Sequence, residues 1–336
     1  MKDQPMLKFR LLALALAGAS FITARCGTVI TENFSSDPLL NGWKVFGDTN
    51  LFQWDSTNQD LRVTWDSSQP NSYFYHPLGT ILARADDFSM AFDLQLTDIG
   101  PAPDTDATNT FEIALGFLNL GQASQTNFLR GTGVNSTNLA EFAYFWNSGY
   151  GATAWPTFVD TNGNFNWNSS SDYAIFALAN GETYHIVVAY AASNQTATAT
   201  ITNSQQTSGV LITQPLDLDT NFLDFRLDTF SINSYSGAGQ DPADAGSVLA
   251  HGIVGNMVVV VPPPPVENLT ESSTNGVWQV QFDGRATWTY TLQRTADFRS
   301  WTNLSTITTG SATNLILLDT NRPPDKAFYR VCATRP

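Results

Sequence analysis

The sequence predicts an all-β protein: a large two-sheet antiparallel β-sandwich of the jelly-roll type, followed by a small β-sandwich-like domain. Apolar and polar residues alternate with a two-residue period through much of the chain, a pattern typical of strands with one buried and one exposed face. Segments rich in Gly, Asn, Pro and Ser separate these runs, and no helical pattern extends beyond a turn or two. Four consecutive prolines, 262–265, then interrupt the chain before a shorter second region.

The alternation is clearest in four segments, which are residues 92–97, 111–117, 184–190 and 196–202. A strand of this kind buries every second side chain, so it needs a second layer to pack against. Many antiparallel strands over about 230 residues therefore favour two sheets packed face to face.

The break between the domains follows from the prolines. Residues 262–265 cannot join a sheet and favour a stiff, extended spacer. We therefore predict a sandwich over residues 28–261, a proline linker, and a small β-domain over residues 266–336.

Composition narrows the class of protein. The 336 residues exceed the usual size of a single core, and 42% of them are hydrophobic while only 14% are charged. The formal net charge is −14 and the isoelectric point is about 4.4. We expect no nucleic-acid partner, because phosphate binding requires clustered Lys and Arg.

The first 25 residues have the pattern of an export signal. Basic residues precede an apolar run, 11–19, that is too short to span a bilayer, and cleavage is expected after Ser20 or Ala24. Removal of residues 1–25 leaves 12 basic and 29 acidic residues, a formal net charge of −17. No later segment is apolar enough for a membrane span, so we expect a secreted or cell-surface protein.

The chain has two cysteines, Cys26 and Cys332. A disulfide between them would link the two ends of the mature chain in an oxidising compartment, but nothing in the sequence brings the two thiols together. Cys26 also stands where a lipid-modified cysteine would stand, although Arg25 before it does not suit a lipoprotein signal.

Several segments resemble a known family. The stretch ENFSSDPLLNGWKVFGDTNLFQWDSTNQDLRVTW, the strand YHIVVAY and the closing strand GIVGNMVVV resemble concanavalin A-like lectin/glucanase (laminin-G-like) domains of secreted bacterial proteins. The resemblance covers residues 28–261 and implies the jelly-roll sandwich, but it does not specify a function. In the second region, YTLQRTADFRSWTNLSTI and AFYRV resemble immunoglobulin- or fibronectin-like modules, in which Tyr290, Trp301 and Tyr329 are expected to be core aromatics.

The sequence does not support a catalytic site. Glucanases of the family that the chain resembles place their acids on one strand as Glu-x-Asp-x-Glu. The best candidate, residues 111–117, has Glu112 followed on the same face by Ala114 and Gly116. With one acid and no partner, we interpret Glu112 as a surface or groove residue and assign no catalytic residue.

The resemblance also implies one structural calcium ion. The acidic residue expected before the Asn of the closing strand is replaced by Gly255. A second candidate consists of Asp160, Asn162 and Asn164, whose oxygens alternate as at the start of a calcium loop. The same Asn- and Gly-rich segment is also typical of an ordinary hairpin turn, and that alternative stays open.

The segment 142–167 is unusually aromatic. Its candidate ligand-binding residues are Trp146, Tyr150, Trp155, Asp160, Asn162, Asn164 and Trp167. Exposed aromatic rings offer flat apolar faces to sugar rings, and nearby amides and carboxylates pair with hydroxyls. Trp155 precedes Pro156, which favours an extended loop. Core packing of these rings is the competing interpretation.

These observations favour an exported, non-catalytic carbohydrate-binding or adhesion protein, whose partner is a polysaccharide or surface glycan bound by the aromatic and Asn/Asp-rich loops. Two alternatives stay open. One is a glycoside hydrolase or lyase with an unrecognised site, and the other is a purely structural envelope protein.

Overall fold

The computed structural model describes residues 27–100, 112–130, 136–149, 151–165, 174–203, 210–212, 216–218, 220–237, 246–274, 276–323 and 326–335. All strand pairs in these ranges are antiparallel, and the predicted all-β fold class is confirmed. Helical structure in the same ranges is limited to α1 (Leu120–Ala123) and two short 3₁₀ turns, Pro38–Asn41 and Thr49–Leu51. No helix in the described ranges has the length and apolar character needed to cross a bilayer.

In the described ranges, sixteen strands precede the prolines. They are β1 (Thr28–Glu32), β2 (Lys44–Phe46), β3 (Phe52–Asp55), β4 (Asp60–Asp66), β5 (Ser72–Leu82), β6 (Phe88–Gly100), β7 (Glu112–Leu118), β8 (Leu139–Phe145), β9 (Thr153–Val159), β10 (Ala174–Ile175), β11 (Thr183–Ala191), β12 (Thr196–Asn203), β13 (Val210–Ile212), β14 (Leu216–Asp217), β15 (Leu227–Ser234) and β16 (Leu249–Val261).

These strands form two sheets. The nine-stranded sheet has the order β13-β12-β11-β6-β16-β4-β3, with β1 also paired to β16 and β14 to β12. The seven-stranded sheet has the order β10-β9-β8-β7-β15-β5-β2. β7 to β10 follow one another along the chain, whereas β15 joins β7 to β5 from a distant part of the sequence, so both local and long-range pairing decide which side chains meet on its faces.

Aromatic residues fill the space between the two sheets. Phe88 of the nine-stranded sheet packs edge-on against Phe117 of the other sheet, with ring centroids 5.0 Å apart, and Phe92 packs against Phe142 at 5.9 Å. All four side chains are buried, and each contributes about 1.5–3 kcal/mol by leaving water. The face of the seven-stranded sheet that carries Phe117 and Phe142 is therefore its inner face.

The opposite face of the seven-stranded sheet, called the outer face below, is also largely covered. Glu112, Gly116, Glu141 and Trp155 lie on it, because they alternate with the inner-face residues and are matched across β7, β8 and β9. Every residue of β7 is buried. Strands buried on both faces place polar side chains in an environment without water, where each needs a partner.

Gly116 allows the close pairing of β7 and β8. A Cβ atom at this position would lie 2.4 Å from the Cα of Glu141 and 2.5 Å from the carbonyl oxygen of Ala140. Because Gly116 has no side chain, the backbone of Glu141 can pair closely with it, which places Glu141 at the centre of the outer face.

Six strands follow the prolines, in two three-stranded sheets. They are β17 (Val266–Thr274), β18 (Val277–Gly284), β19 (Thr289–Thr295), β20 (Thr302–Thr308), β21 (Thr313–Asp319) and β22 (Phe328–Thr334), with the sheet orders β17-β18-β21 and β20-β19-β22. They enclose a second hydrophobic cluster, separate from that of the sandwich. The domain limits given above stay a prediction, since independent folding of the two parts is untested.

The core aromatics of this C-terminal module differ in part from those expected. Tyr290 is fully buried, and Tyr329 is partly buried against the cluster. Trp301 is not part of the cluster, and the guanidinium of Arg330 lies over its ring at 4.0 Å from the centroid. Trp288 occupies the core instead, because it lies two residues before Tyr290 and therefore on the same buried face, while Trp301 precedes the edge strand β20.

Charged groups join the module to the sandwich. Asp86 of the sandwich is 6% exposed and forms ion pairs with Arg285 and Arg335 of the module. Arg285 also donates to the hydroxyl of Thr80 at 3.0 Å and to the carbonyl of Pro263 at 3.1 Å. Cys332 forms no disulfide with any described residue; Cys26 lies outside the described residues, so the disulfide between the two stays a prediction.

Candidate functional site

Of the predicted aromatic ligands, Trp155 lies at one end of the outer face, whereas Trp146 is one residue beyond Phe145 and packs against the hydrophobic core. Trp155 is in β9, in contrast to the extended loop expected before Pro156, and Trp146 follows the last residue of β8 directly. Among the described residues, β10 pairs with β9 only at Thr153 and Ala154, so no described strand takes an N–H from Pro156 on that side, and proline is tolerated there. Tyr150 and Trp167 lie outside the described residues.

Trp155 is held by two contacts. Its indole Nε1 donates to the hydroxyl of Thr157 at 2.7 Å, and its ring lies 5.2 Å from that of Phe145 with a 41° tilt. Trp155 and Phe145 are half-buried, whereas Ala143, Thr153 and Thr157 beside them on the outer face are fully buried. Trp155 and Phe145, called the aromatic rim below, therefore offer partly exposed apolar rings in a fixed orientation.

The other predicted ligand residues lie elsewhere. Asp160 follows the far end of β9, and at the spacing of a β-strand it is about 17 Å from Trp155 along the chain. Asn162 and Asn164 are exposed residues of the same turn. The structure thus separates Trp155 from the Asp160 group and from Trp146, which packs against the core.

The carboxylate of Asp160 is fully buried and accepts four N–H groups. Its Oδ1 accepts from the backbone of Asn162 and Asn164 at 2.8 and 2.9 Å, and its Oδ2 accepts from the Asn164 side chain and the Leu223 backbone, both at 2.8 Å. Burial raises the pKa of Asp160, but the four hydrogen bonds lower it by more than burial raises it. The net pKa therefore lies below its usual value.

These contacts are those of a hairpin turn, the alternative that the sequence left open. Calcium needs six to eight oxygen ligands, whereas both oxygens of Asp160 already face N–H donors and Asn164 turns its amide N–H towards the carboxylate. The residues as arranged do not fit a calcium ion, and calcium binding there stays a prediction that this geometry does not support. In the described part of the chain, no three His, Cys, Asp or Glu side chains cluster as metal ligands would.

The Asp160 turn has a second consequence. It reverses the chain so that Phe165 forms a β-bridge with Val159. The ring of Phe165 then lies 5.8 Å from the guanidinium carbon of Arg130. The turn therefore positions a ring that covers the centre of the outer face.

A buried ion cluster occupies that centre. The Nε of Arg130 lies 2.6 Å from Oε1 of Glu141 and 2.9 Å from Oε1 of Glu112, and its Nη2 donates to Oε2 of Glu112 at 2.9 Å. All three residues are at most 1% exposed. Burial alone lowers the pKa of Arg130, but the two carboxylates raise it, so the net pKa lies above its usual value and the guanidinium stays charged.

Neutral donors complete the cluster. The hydroxyl of Tyr235 donates to Oε2 of Glu141 at 2.9 Å, and the amide of Asn233 donates to the same oxygen at 3.3 Å. Burial and the charge of Glu141 raise the pKa of Tyr235 well above its usual value, which keeps this hydroxyl protonated as a donor.

The interpretation of Glu112 as a surface or groove residue without a partner is wrong. Glu112 is buried, and a second carboxylate, that of Glu141, lies on the same face of the adjacent strand. Since both carboxylates contact one nitrogen of Arg130, they lie within about 5.5 Å of each other, near the separation used by retaining glycosidases.

Glu141 and Arg130 do not fit the glucanase pattern, which places its acids along a single strand, and they therefore do not stand out from the sequence. One signal was present: Glu141 is the only charged residue in the apolar run LAEFAYF. An acid inside a run that is buried on both faces requires a positively charged partner, and Arg130 follows the apolar pair Phe128 and Leu129.

The aromatic rim and the ion cluster are contiguous. Trp155 donates to Thr157, which stands directly opposite Glu141, and Phe145 stands directly opposite Glu112. The candidate site is therefore one continuous surface. Partly exposed aromatic rings lie at its end, and the buried guanidinium of Arg130 beside them neutralises Glu112 and Glu141.

No family model and no curated protein matches the chain. Among solved structures the chain is similar to lectins, all with probability 1.00. They include peanut lectin with a nine-residue peptide (14% identity, 68% of this chain and 98% of that chain, TM-score 0.38), the lectin UEA-II complexed with galactose (11% identity, 70% and 98%, TM-score 0.43), and winged bean acidic lectin complexed with methyl-α-D-galactose (11% identity, 70% and 99%, TM-score 0.41). At TM-scores below 0.5 and such low identities, these similarities carry no inference about the ligand of this chain.

Proposed function

We propose that the chain is an exported, non-catalytic carbohydrate-binding protein that binds a polysaccharide or surface glycan at the aromatic rim. One observation carries the proposal: Trp155 and Phe145 are held half-buried, with their rings in contact, beside the fully buried cluster of Glu112, Arg130 and Glu141. Fixed aromatic rings with few polar groups beside them are the usual elements of a small-ligand site.

The chemistry of the rim suits a sugar. The face of a pyranose ring that carries axial C–H groups is apolar and packs on an aromatic ring, while its hydroxyls require hydrogen-bonding partners. Asn147 and Ser148 follow Trp146 directly and are half-buried. Because Thr157 orients the Trp155 indole before the ligand arrives, little side-chain entropy is lost on binding.

The ion cluster favours binding over catalysis. A retaining glycosidase needs one protonated carboxylic acid and one free carboxylate in contact with the sugar. Here both carboxylates pair with the same guanidinium, and both are sealed from solvent. The short distance between Glu112 and Glu141 is the observation that favours the second candidate, a polysaccharide-acting enzyme.

Affinity electrophoresis of the full chain in gels containing laminarin, xylan, galactan or hydroxyethyl cellulose tests the binding proposal. We expect retardation in at least one gel and about tenfold weaker binding by Trp155→Ala. Leu40→Ala, which alters an 83% exposed side chain in a 3₁₀ turn, is the control and should behave as the wild type. Equal retardation of both variants, or none in any gel, contradicts the proposal.

Sugar release decides between the two candidates. The binding proposal predicts no reducing-end or unsaturated sugar from any of the four polysaccharides. Release that is abolished by Glu141→Gln would replace it with the enzymatic function.

Export is tested separately, by mass spectrometry of the native protein. We expect a mature amino terminus after Ser20 or Ala24. A protein that retains residues 1–19 contradicts export through this signal.

A further inference from the structure

The C-terminal module is closed on one side and open on the other. At the closed side, β20 and β21 approach each other, and the hydroxyl of Ser305 lies 3.4 Å from the carbonyl oxygen of Leu318. At the other side, the edge strands β17 and β22 border a cleft of about 520 Å³. This volume is within the range of small-ligand sites, about 300–1,000 Å³.

A stacked aromatic pair lines this cleft. The rings of Trp278 and Tyr329 lie nearly parallel, 3.8 Å apart and tilted by 12°, and both are half-buried. The Tyr329 hydroxyl donates to Asp319 at 2.9 Å, which fixes the pair from one side. Val280 and Val331 provide an apolar floor.

Polar groups of opposite charge stand at the edge of the cleft. Glu271 of β17 stands directly opposite Val280, and Ser273 stands directly opposite Trp278, so both side chains are on the cleft side of the sheet. Arg322 donates to the hydroxyl of Ser273 at 2.9 Å. Glu271, Ser273 and Arg322 are all exposed.

From this arrangement we propose that the cleft is a second saccharide-binding site, in which a sugar ring packs on the Trp278–Tyr329 pair. Its hydroxyls donate to the carboxylate of Glu271 and accept from the guanidinium of Arg322. The site belongs to the module and does not depend on the aromatic rim of the sandwich.

The charges favour a neutral polyhydroxylated ligand. Glu271 opposes phosphate or sulfate groups, and Arg322 opposes a cation. Arg330 also borders the cleft, but its guanidinium is held over the Trp301 ring and donates to Gln293. A ligand with a flat apolar face and both donating and accepting hydroxyls satisfies the two charged groups and the rings together. Two sites on one chain would raise its apparent affinity for a repeating polysaccharide, because the second contact is intramolecular.

An extended peptide added to the free edge of β22 is the competing occupant. Such a strand would rely on backbone hydrogen bonds to β22 and would not require the carboxylate of Glu271. Glu271→Gln therefore distinguishes the two, because it keeps the shape of the side chain while weakening its acceptor.

The test is hydrogen–deuterium exchange of the full chain with and without laminarin, xylan, galactan or hydroxyethyl cellulose, followed by affinity electrophoresis in the same polysaccharides. We expect at least one of them to slow exchange in residues 266–284 and 322–334. Trp278→Ala and Glu271→Gln should each lose this protection and bind about tenfold more weakly in a Trp155→Ala background, which removes the contribution of the rim.

Leu318→Ala is the matched control, because it shortens a 41% exposed side chain on the other face of the same sheet. It should keep the protection. Protection confined to residues 141–165, no protection by any of the four polysaccharides, or binding by Glu271→Gln equal to that of the control would each overturn the proposal. Since the Trp155→Ala background isolates the module, failure here leaves the sandwich site separately testable.

Discussion

The guanidinium of Arg130 lies between two carboxylates in a part of the protein that water does not reach. Its ion pairs with Glu112 and Glu141 compensate the cost of burying three charges, and Tyr235 and Asn233 provide further hydrogen bonds. Removal of one member leaves the others buried without their partner, which costs more than the pair itself contributes.

Arg130→Ala should lower the free energy of unfolding by about 3–5 kcal/mol, the range for breaking a buried ion pair. Urea unfolding followed by tryptophan fluorescence measures this change. Arg62→Ala is the control, since Arg62 forms an exposed ion pair with Asp55 and should cost no more than about 1 kcal/mol. Similar losses in the two variants would contradict a stabilising role for the buried cluster.

His185 stands on the exposed face of the nine-stranded sheet, where its Nδ1 lies 2.7 Å from Oδ1 of Asp93. The hydrogen bond to Asp93 raises the pKa of His185, with burial opposing and the charge of Asp93 adding to the rise. A group whose pKa is higher in the folded state stabilises the fold fully below its unfolded pKa of about 6.5 and loses that effect as the pH rises through the raised value.

His185→Gln should therefore reduce stability at pH 5.5 more than at pH 8.5. Urea midpoints at the two pH values measure the difference, and an NMR titration should show the pKa of His185 falling towards about 6.5 in Asp93→Asn. An equal effect of His185→Gln at both pH values would show that the pair does not contribute through protonation.

At the scale of single elements, the turn after β9 is held by hydrogen bonds to one carboxylate, that of Asp160. Asp160 ties together Asn162, Asn164 and Leu223, and the turn places Phe165 over Arg130. The stability of this hairpin and the cover of the ion cluster are therefore linked.

Asp160→Ala should destabilise the protein by about 2–3 kcal/mol, because buried N–H groups lose a charged acceptor. Thermal unfolding with and without 5 mM Ca²⁺ measures this and tests the calcium assignment at the same time. The hairpin interpretation predicts no effect of calcium on the wild-type melting temperature. An increase that Asp160→Ala abolishes would support a calcium site instead.

The pairing of β7 with β8 makes a second prediction at this scale. Gly116→Ala inserts a Cβ that would lie 2.4 Å from the backbone of Glu141, so the two strands must separate. We expect destabilisation of about 1–3 kcal/mol, the cost of overpacking, together with weaker binding at the aromatic rim. Gly255→Ala, where a Cβ meets nothing within 4 Å, is the control and should be nearly neutral.

At the scale of the whole molecule, charge is divided unevenly between the two regions. Residues 26–265 contain 5 basic and 23 acidic residues, whereas residues 266–336 contain 7 basic and 6 acidic ones. Two of these basic residues, Arg285 and Arg335, reach the buried Asp86 of the sandwich. These two ion pairs at the buried Asp86 couple the module to the acidic sandwich.

Asp86→Ala should loosen the junction, since two arginines lose a carboxylate that is 6% exposed. Limited proteolysis should then separate the two regions severalfold faster, and calorimetry should resolve two thermal transitions. Asp98→Ala removes an exposed acid that pairs with His251 and is the matched control. Unchanged cleavage in Asp86→Ala would show that the prolines and apolar contacts alone hold the regions together.

The sequence by itself determined the all-β class and the position of the proline spacer. Both follow from local properties: a two-residue period buries alternate side chains wherever the strand lies, and proline lacks the N–H that a sheet requires. The identity of Trp146 and Trp155 as candidate ligands was also visible, because aromatic content is read directly from the chain.

Only the tertiary structure decided which of these residues meet. Glu112, Arg130 and Glu141 come from two strands and the connection between them, and Trp155 and Asp160 are neighbours in sequence that β9 holds at its opposite ends. The distance between two side chains on paired strands, such as Glu112 and Glu141, depends on the register in which the strands pair. The alternation of residues along one strand does not reveal that register. For that reason the sequence predicted the kind of surface, while the fold alone showed that an ion cluster fills its centre and that Trp155 and Phe145 stay partly exposed beside it.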